Sequence, residues 1–574
     1  MAAIFISCVF ILCFFLFSLL IPGMLLLRRT NLPPQLLLPA AFIVSATVLF
    51  ILAFGVFVSS GSKFWLQAYA ILSVALPLLF HRQLASTLEC PIVQRSLQIY
   101  FIFVLWVFSL TALTTIIANG DWFGDWFEHY LRAQYFIVSF ENNLLPPDSF
   151  NFAERPPLAN FLTGYLMQIG GQSFAAYQFT TLLLSALIIL AALPLAPTPH
   201  SRAAVLLFVL FFAFHPAIVQ HQLYPWTRSL TAFFVVSAFS LELISDPGSC
   251  RIRRVLALLA STLACLTHYS ALVWIIPFYL MLACTQKPGD PGRTSTGTIA
   301  GILLSSIPVL LWFEVLRELR AEQDFWVHNV FARGIRQVSI TDYLTNILHA
   351  WKEMFFPAPF ASYPWPDLDS VSSLTGIGNR LFYNYQCTLP GILALTGLAA
   401  IGCRLLQNYR KERRVFGGST QKQMTCVILG AIFLAPTVYP FGFKSAYAHV
   451  SLLPLGIFGA AYSYRAFVGF SRSSRFILAL TLLLDFALGI ALQVYTQHRT
   501  LGTVSAARAI SVLDGREPLN TIQLENLHLA RSRHLILLGE ELFSIRSYTF
   551  ALSGVMFLIF LWVVSRSLNT KDIF

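Results

Sequence analysis

The chain has 574 residues, of which 57% are hydrophobic and only 11% charged. Soluble domains sit near about 45–50% apolar and about 25% charged, so the composition excludes a soluble enzyme, a disordered protein and a nucleic-acid binder. The net charge of +12 is spread thinly over the whole length and reads as membrane topology, not as a polyanion-binding face.

A spanning helix needs roughly 20 apolar residues. Runs of that kind predict spans near 3–27, 36–58, 64–80, 98–118, 176–196, 203–219, 229–245, 255–267, 270–285, 297–316, 384–403, 424–441, 446–464, 476–496 and 547–564. The expectation is an all-α polytopic membrane protein of about 13–15 transmembrane helices. The nine cysteines show no paired spacing, and most fall in apolar runs, so they read as packing residues.

The first span has no basic residue before it and Arg28-Arg29 after it. It therefore reads as an uncleaved helix with its N-terminus on the outer face. Alternation from that choice places 21 of the 38 basic residues, but only six of the 26 acids, in inner loops. This bias runs the length of the chain and supports the orientation. The expected layout is N-terminal transmembrane helices over 1–118, an outer loop at 119–175, and helices over 176–316. A second outer loop follows at 317–383, then helices over 384–496, an outer cap at 497–546, and a last helix with an inner tail at 547–574. The three outer segments exceed ordinary turns, and loops of that length are usually functional. Chemistry is therefore expected on the outer side, a bacterial periplasm or an organelle lumen.

The loop at 119–175 opens with NGDWFGDWFEHY over 119–130. GDWF stands twice in tandem, at 120–123 and 124–127. Asp121, Asp125 and His129 are spaced by four, which places them on one face if the stretch is helical. Trp122, Phe123, Trp126 and Phe127 suit a membrane interface. The acids are either solvated on an aromatic-belt helix or aimed at a cavity, and acids among aromatics at a membrane boundary tend to be functional. A third reading is a divalent cation held by Asp121, Asp125, His129 and Glu154, although the ligand set is incomplete in sequence. Farther on, AERPPLANFLTGYL at 153–166 sets Glu154-Arg155 before a double proline that fixes an extended approach to a helix. That pair is either a loop ion pair or a second carboxylate and a cation beside the first cluster.

These segments resemble the C-type superfamily of polytopic glycosyltransferases (GT-C), which includes the protein O-mannosyltransferases and the bacterial lipid A aminoarabinose transferases. The resemblance rests on an apolar span, an outer loop opening with GDWFEHY at 124–130, and RPPLANFLTGYL at 155–166 leading into an amphipathic helix. YPWTRSLTAFF at 224–234 and THYSALVWIIP at 267–277 look like recurring segments of bacterial members. The similarity covers about residues 119–280. It implies a GT-C-like bundle whose large outer loops carry amphipathic helices. The chain departs from the usual pattern in placing three spans before the one that leads into the loop.

The resemblance implies transfer of a sugar from a polyprenyl-phosphate donor to a glycan, lipid or protein acceptor, with inversion at the anomeric carbon. Asp125 is the better counterpart of the family's catalytic aspartate, and Asp121 is the alternative. Such displacement needs a carboxylate to deprotonate or orient the acceptor and cations to hold the leaving phosphate. Asp121 or Glu154 would tune Asp125 or hold the acceptor, and His129 would orient it or act in its place. Candidate phosphate-binding residues are Arg155, Arg228, His268, Lys444 and His449, with Arg333 and Arg336 in the second outer loop. Each of these also reads as a residue that snorkels to lipid headgroups, and a lone His such as His268 as a packed polar residue. Asp485 stands mid-span in LLLDFALG and has no assigned role. A transporter or flippase for lipid-linked saccharide is the competing class. It would show internal repeats and midplane charges. No repeat is visible, and most ionisable residues lie in loops. A polysaccharide polymerase is the third reading.

Overall fold

In a computed structural model of the chain, the described residues are 2–58, 64–111, 129–130, 132–134, 136, 156–195, 212–213, 215–223, 226–243, 250–284, 295–320, 339–355, 419–434, 453–459, 461 and scattered positions from 476 to 491. Their elements are helices, and among the described residues no strand occurs. Among the described residues, four helices are long and apolar enough to cross a membrane: Ile4–Leu27, Pro34–Val56, Pro91–Leu110 and Phe174–Leu195. The chain is an all-α polytopic membrane protein.

The first span is α1 (Ala2–Phe15), a π-helical turn (Leu16–Leu20) and α2 (Ile21–Leu27), and α3 (Pro34–Val58) packs back against it. α4 (Phe64–Leu79) and α5 (His81–Leu88) reach spanning length only as a pair and meet at 75°. α5 buries none of its residues. The expected span at 98–118 starts earlier in the structure, as α6 (Pro91–Leu110). Pro91 is the reason. At a helix start its fixed φ is preorganised and its missing N–H is no loss, so Gln94 and Arg95 are drawn into the first turns ahead of the apolar run.

The double proline at 156–157 leads into α7 (Leu158–Gly170). Gly171, with φ at 95°, ends this helix, a conformation that glycine adopts without strain. Ser173 then caps α8 (Phe174–Ala186) by accepting from the Ala176 N–H. α9 (Ile188–Ala192) and a short 3₁₀ turn complete that span. Beyond it lie α10 (Pro216–Leu223), α11 (Arg228–Leu243), α12 (Cys250–Thr267), α13 (Leu272–Cys284), α14 (Ser295–Arg320), α15 (Ile340–Phe355) and α16 (Ser419–Leu434). α11 to α14 overlap the spans expected near 229–245, 255–267, 270–285 and 297–316, and α16 covers the first part of the one expected near 424–441. The spans expected at 384–403 and 547–564 lie outside the described residues, as do most of 203–219, 446–464 and 476–496.

The centre of the bundle is built from α7, α8 and α11. Every residue of α11 from Arg228 to Leu241 is buried, as is every residue of α7 from Leu158 to Met167. α7 packs against α1, α3, α8 and α12, and α11 against α8, α9 and α12. The helix that sequence marks as amphipathic thus has no free face over its first ten residues, because neighbours close around its polar positions too. Hydroxyls tie the helices through otherwise unused carbonyl acceptors. Tyr100 donates to Leu183 O at 2.9 Å, Tyr69 to Ser18 O at 2.8 Å and Ser240 to Ala191 O at 3.0 Å. In a bilayer such bonds each contribute about 0.6 kcal/mol. Among the expected packing cysteines, Cys8 and Cys265 are buried in this core.

Within 317–383 the helix described in full is α15, and it is amphipathic. Ser339 Oγ accepts from the Asp342 N–H at its start. Ile340, Leu344 and Leu348 form an exposed stripe at a spacing of four, as expected for an interfacial helix.

Candidate active site

The site is assembled around the N-terminal half of α7. His129 is 5% exposed and Asn160 3% exposed, and His129 Nδ1 lies 3.0 Å from Asn160 Oδ1. A carboxamide oxygen only accepts, so Nδ1 is the donor of this bond. The bond fastens the end of the GDWFEHY segment to the RPPLANF helix.

Three further contacts hold the 129–136 segment in place. Tyr130 donates to Gln172 O at 2.8 Å, and its ring packs edge-on against Phe174, with centroids 5.2 Å apart. Gln134 Nε2 donates to the Tyr130 hydroxyl and to Gln172 O, at 2.7 and 3.2 Å. Phe136 stacks on Phe161 with centroids 3.9 Å apart. Gly164 makes the approach possible, since a Cβ there would stand 2.7 Å from the Ala133 carbonyl oxygen. Arg132, 2% exposed, lies within electrostatic reach of Tyr177 on α8. A guanidinium held that deep is expensive in a membrane protein and marks a functional position.

A second polar cluster meets α8 farther along. Gln222 Nε2 on α10 donates to Ser185 O at 3.1 Å and to Ser229 Oγ at 3.1 Å. Ser229 Oγ donates to His221 O at 3.3 Å. The Arg228 guanidinium lies over the Trp226 ring, 4.2 Å from its centroid, and His221 packs on the same indole at 5.4 Å. Arg228 is the first residue of α11 and is 5% exposed. A helix N-terminus and a buried guanidinium together make a strongly anion-favouring point. His215 is buried as well, 1% exposed. The two clusters touch α8 at Tyr177 and Ser185, about 12 Å apart along the helix axis.

Of the residues singled out in sequence, His129 and Arg228 are thus buried in two polar clusters, one on α7 and one between α8, α10 and α11. His268 has a local role: it caps a 3₁₀ turn, its Nδ1 accepting from the Ser270 N–H at 3.2 Å. Asp485 is buried, 1% exposed. Asp121, Asp125, Glu154, Arg155, Arg333, Arg336, Lys444 and His449 lie outside the described residues. So do three of the four residues read as a cation site, and among the described residues no group of three or more His, Cys, Asp and Glu side chains gathers in metal-binding range. Sequence reasoning missed Asn160, Arg132, His221 and Gln222. The available signal was a polar residue inside an apolar or aromatic run, as in FAFHPAIVQHQL at 212–223.

No family model matches the chain, and no curated protein matches it. Among solved structures, a match is the crystal structure of ArnT from Cupriavidus metallidurans bound to undecaprenyl phosphate. The two are 13% identical with a TM-score of 0.43, over 74% of this chain and 79% of that one. At that identity and score the likeness fixes no residue of this chain.

Proposed function

We propose that the chain is an inverting glycosyltransferase of GT-C type. It moves a sugar from a polyprenyl-phosphate donor to a glycan, lipid or protein acceptor on the outer face of a bacterial inner membrane, with its own N-terminus outside. The carrying observation is the buried His129–Asn160 bond. It brings together two motifs that resemble the same loop of one superfamily, and it buries an ionisable side chain inside the bundle, which in a membrane protein points to function.

In this reading Asp125 takes the proton from the acceptor nucleophile as that oxygen attacks the anomeric carbon. The bond to the donor phosphate breaks from the opposite side, and the phosphate leaves with the bonding pair. His129, fixed by Asn160, positions the Asp125 segment, and Asp121 and Glu154 tune it or hold the acceptor. Arg228, held over Trp226 at the start of α11, stabilises the leaving phosphate, with Arg155, Lys444 and His449 as further cations. His268 is the weakest of the proposed phosphate ligands, because its Nδ1 is engaged in capping. The test is transfer by membranes holding the protein, supplied with a panel of polyprenyl-phosphate sugars. Release of polyprenyl phosphate with a new glycoside supports the reading. Movement of intact lipid-linked saccharide across the bilayer without bond cleavage would replace it with a flippase.

A further inference from the structure

A groove of about 600 Å³ opens between α2, α3 and α4, well apart in sequence from the residues of the candidate site. Along α4 it is lined by Trp65, Ala68, Tyr69, Leu72, Leu76 and Phe80, one continuous face that runs about 22 Å at the helical rise. Leu26, Trp65 and Leu72 stay 52–64% exposed, so one side is open to the surroundings. The walls are apolar, with one cation at the end.

That cation is Arg28. Its guanidinium lies 5.5 Å from the centroid of Phe80, the residue at the 75° elbow between α4 and α5. Its Nη1 is buried and has no hydrogen-bond partner among the described residues. A guanidinium nitrogen taken out of water without an acceptor is costly, so this position favours an anionic acceptor such as a lipid phosphate. The elbow also marks a bilayer surface. α4 is apolar, and Phe64 and Trp65 at its far end are exposed as belt aromatics are. α5 leaves at a steep angle with no buried residue, and carries exposed His81 and Arg82. Arg29 is exposed beside Arg28. Glu89, at the end of α5, is the nearest acid in sequence to this basic lip.

We propose that this groove binds an anionic glycerophospholipid, with one acyl chain along α4 and the phosphate on Arg28. The face along α4, about 22 Å long, matches one extended fatty acyl chain and is shorter than a polyprenyl carrier. At roughly 30 Å³ per water-sized group, the groove takes about twenty groups, the size of one fatty acyl chain. The basic lip selects an anionic headgroup over a zwitterionic one. The site is independent of the transferase reading, since none of its residues belongs to the candidate active site.

The test uses the full-length protein in nanodiscs or detergent, with retained lipid read by native mass spectrometry. The probes are phosphatidylglycerol, phosphatidylcholine and undecaprenyl phosphate. The wild type is expected to retain phosphatidylglycerol about tenfold over phosphatidylcholine: both offer a phosphate to Arg28, but the choline cation cancels the headgroup charge that the basic lip of Arg28, Arg29 and Arg82 attracts. Arg28→Gln is expected to lose that preference, Arg28→Lys to keep part of it, and Ala68→Trp, which fills the groove, to lose both lipids. Equal retention of the two glycerophospholipids by the wild type overturns the proposal. So does an unchanged preference in Arg28→Gln, or displacement of phosphatidylglycerol by equimolar undecaprenyl phosphate. If Arg28→Gln fails to fold, Arg28→Lys and Ala68→Trp decide the matter alone, since binding unchanged in both is equally contradictory.

Discussion

His129 and Asn160 are 31 residues apart in sequence and 3.0 Å apart in space, both buried where α7 enters the bundle. Removing one partner strands the other. Asn160→Ala leaves a buried imidazole N–H without its acceptor, which costs about 1–3 kcal/mol. Thermal unfolding of the purified protein is expected to fall accordingly, and sugar transfer to fall more than the lost folded fraction explains. Asn160→Asp keeps an acceptor and raises the basicity of His129, so it is expected to retain more activity than Asn160→Ala. Equal transfer by the two variants would remove the hydrogen bond from the account.

Gly164 lets the 129–136 segment sit directly on α7. A Cβ at that position would press on the Ala133 carbonyl at 2.7 Å, backbone that cannot swing aside. Gly164→Ala is expected to destabilise by about 1–3 kcal/mol, the usual range for overpacking. The measurement is thermal or denaturant unfolding in detergent, and an unchanged midpoint would show that the two segments do not pack this closely.

Arg228 stands over Trp226 at the start of α11. Charge-assisted bonds to phosphate contribute about 1.5–3 kcal/mol, so Arg228→Ala is expected to weaken donor use by roughly tenfold or more. Arg228→Lys keeps the charge but loses the planar stack, and falls between. The readout is kcat/KM for the lipid donor against the unfolding midpoint. Wild-type donor use in Arg228→Ala would place the phosphate elsewhere, with Arg155 or Arg333 the next candidates.

Much of the fold was legible because the spanning signal is strong and local. A long apolar run identifies 3–27 or 176–196 without knowledge of their neighbours. The start of α6 was missed because a proline at the first helical position outranks the polarity of Gln94 and Arg95. α7 illustrates the opposite limit. Its alternation of polar and apolar residues resembles a surface helix, yet Asn160, Thr163 and Tyr165 are all buried. Polar positions closed over by other helices look the same in sequence as positions facing water. For the same reason His129 was legible, since it shares a repeat with two aspartates, whereas Arg132 and Gln222 carry no motif.

The proposed membrane sidedness rests on the charge bias and is testable without the reaction. On a cysteine-free background, Asp148→Cys is expected to label with an impermeant thiol reagent in intact cells. Glu412→Cys is expected to label only after permeabilisation. The reverse pattern would put the acidic loop on the inner side.

The central claim is that the acidic-aromatic loop supplies the base, and Asp125→Asn beside Asp121→Asn tests it most directly. Asn preserves size and hydrogen bonding and removes the proton acceptor. Transfer from the polyprenyl-phosphate donor is measured with both variants at matched expression. Loss of a positioned base is expected to lower turnover by about 10²–10⁴-fold in Asp125→Asn, with a smaller loss in Asp121→Asn and both proteins folded in the membrane. A dead Asp121→Asn beside an active Asp125→Asn would move the base four residues upstream, and full activity in both would contradict the mechanism.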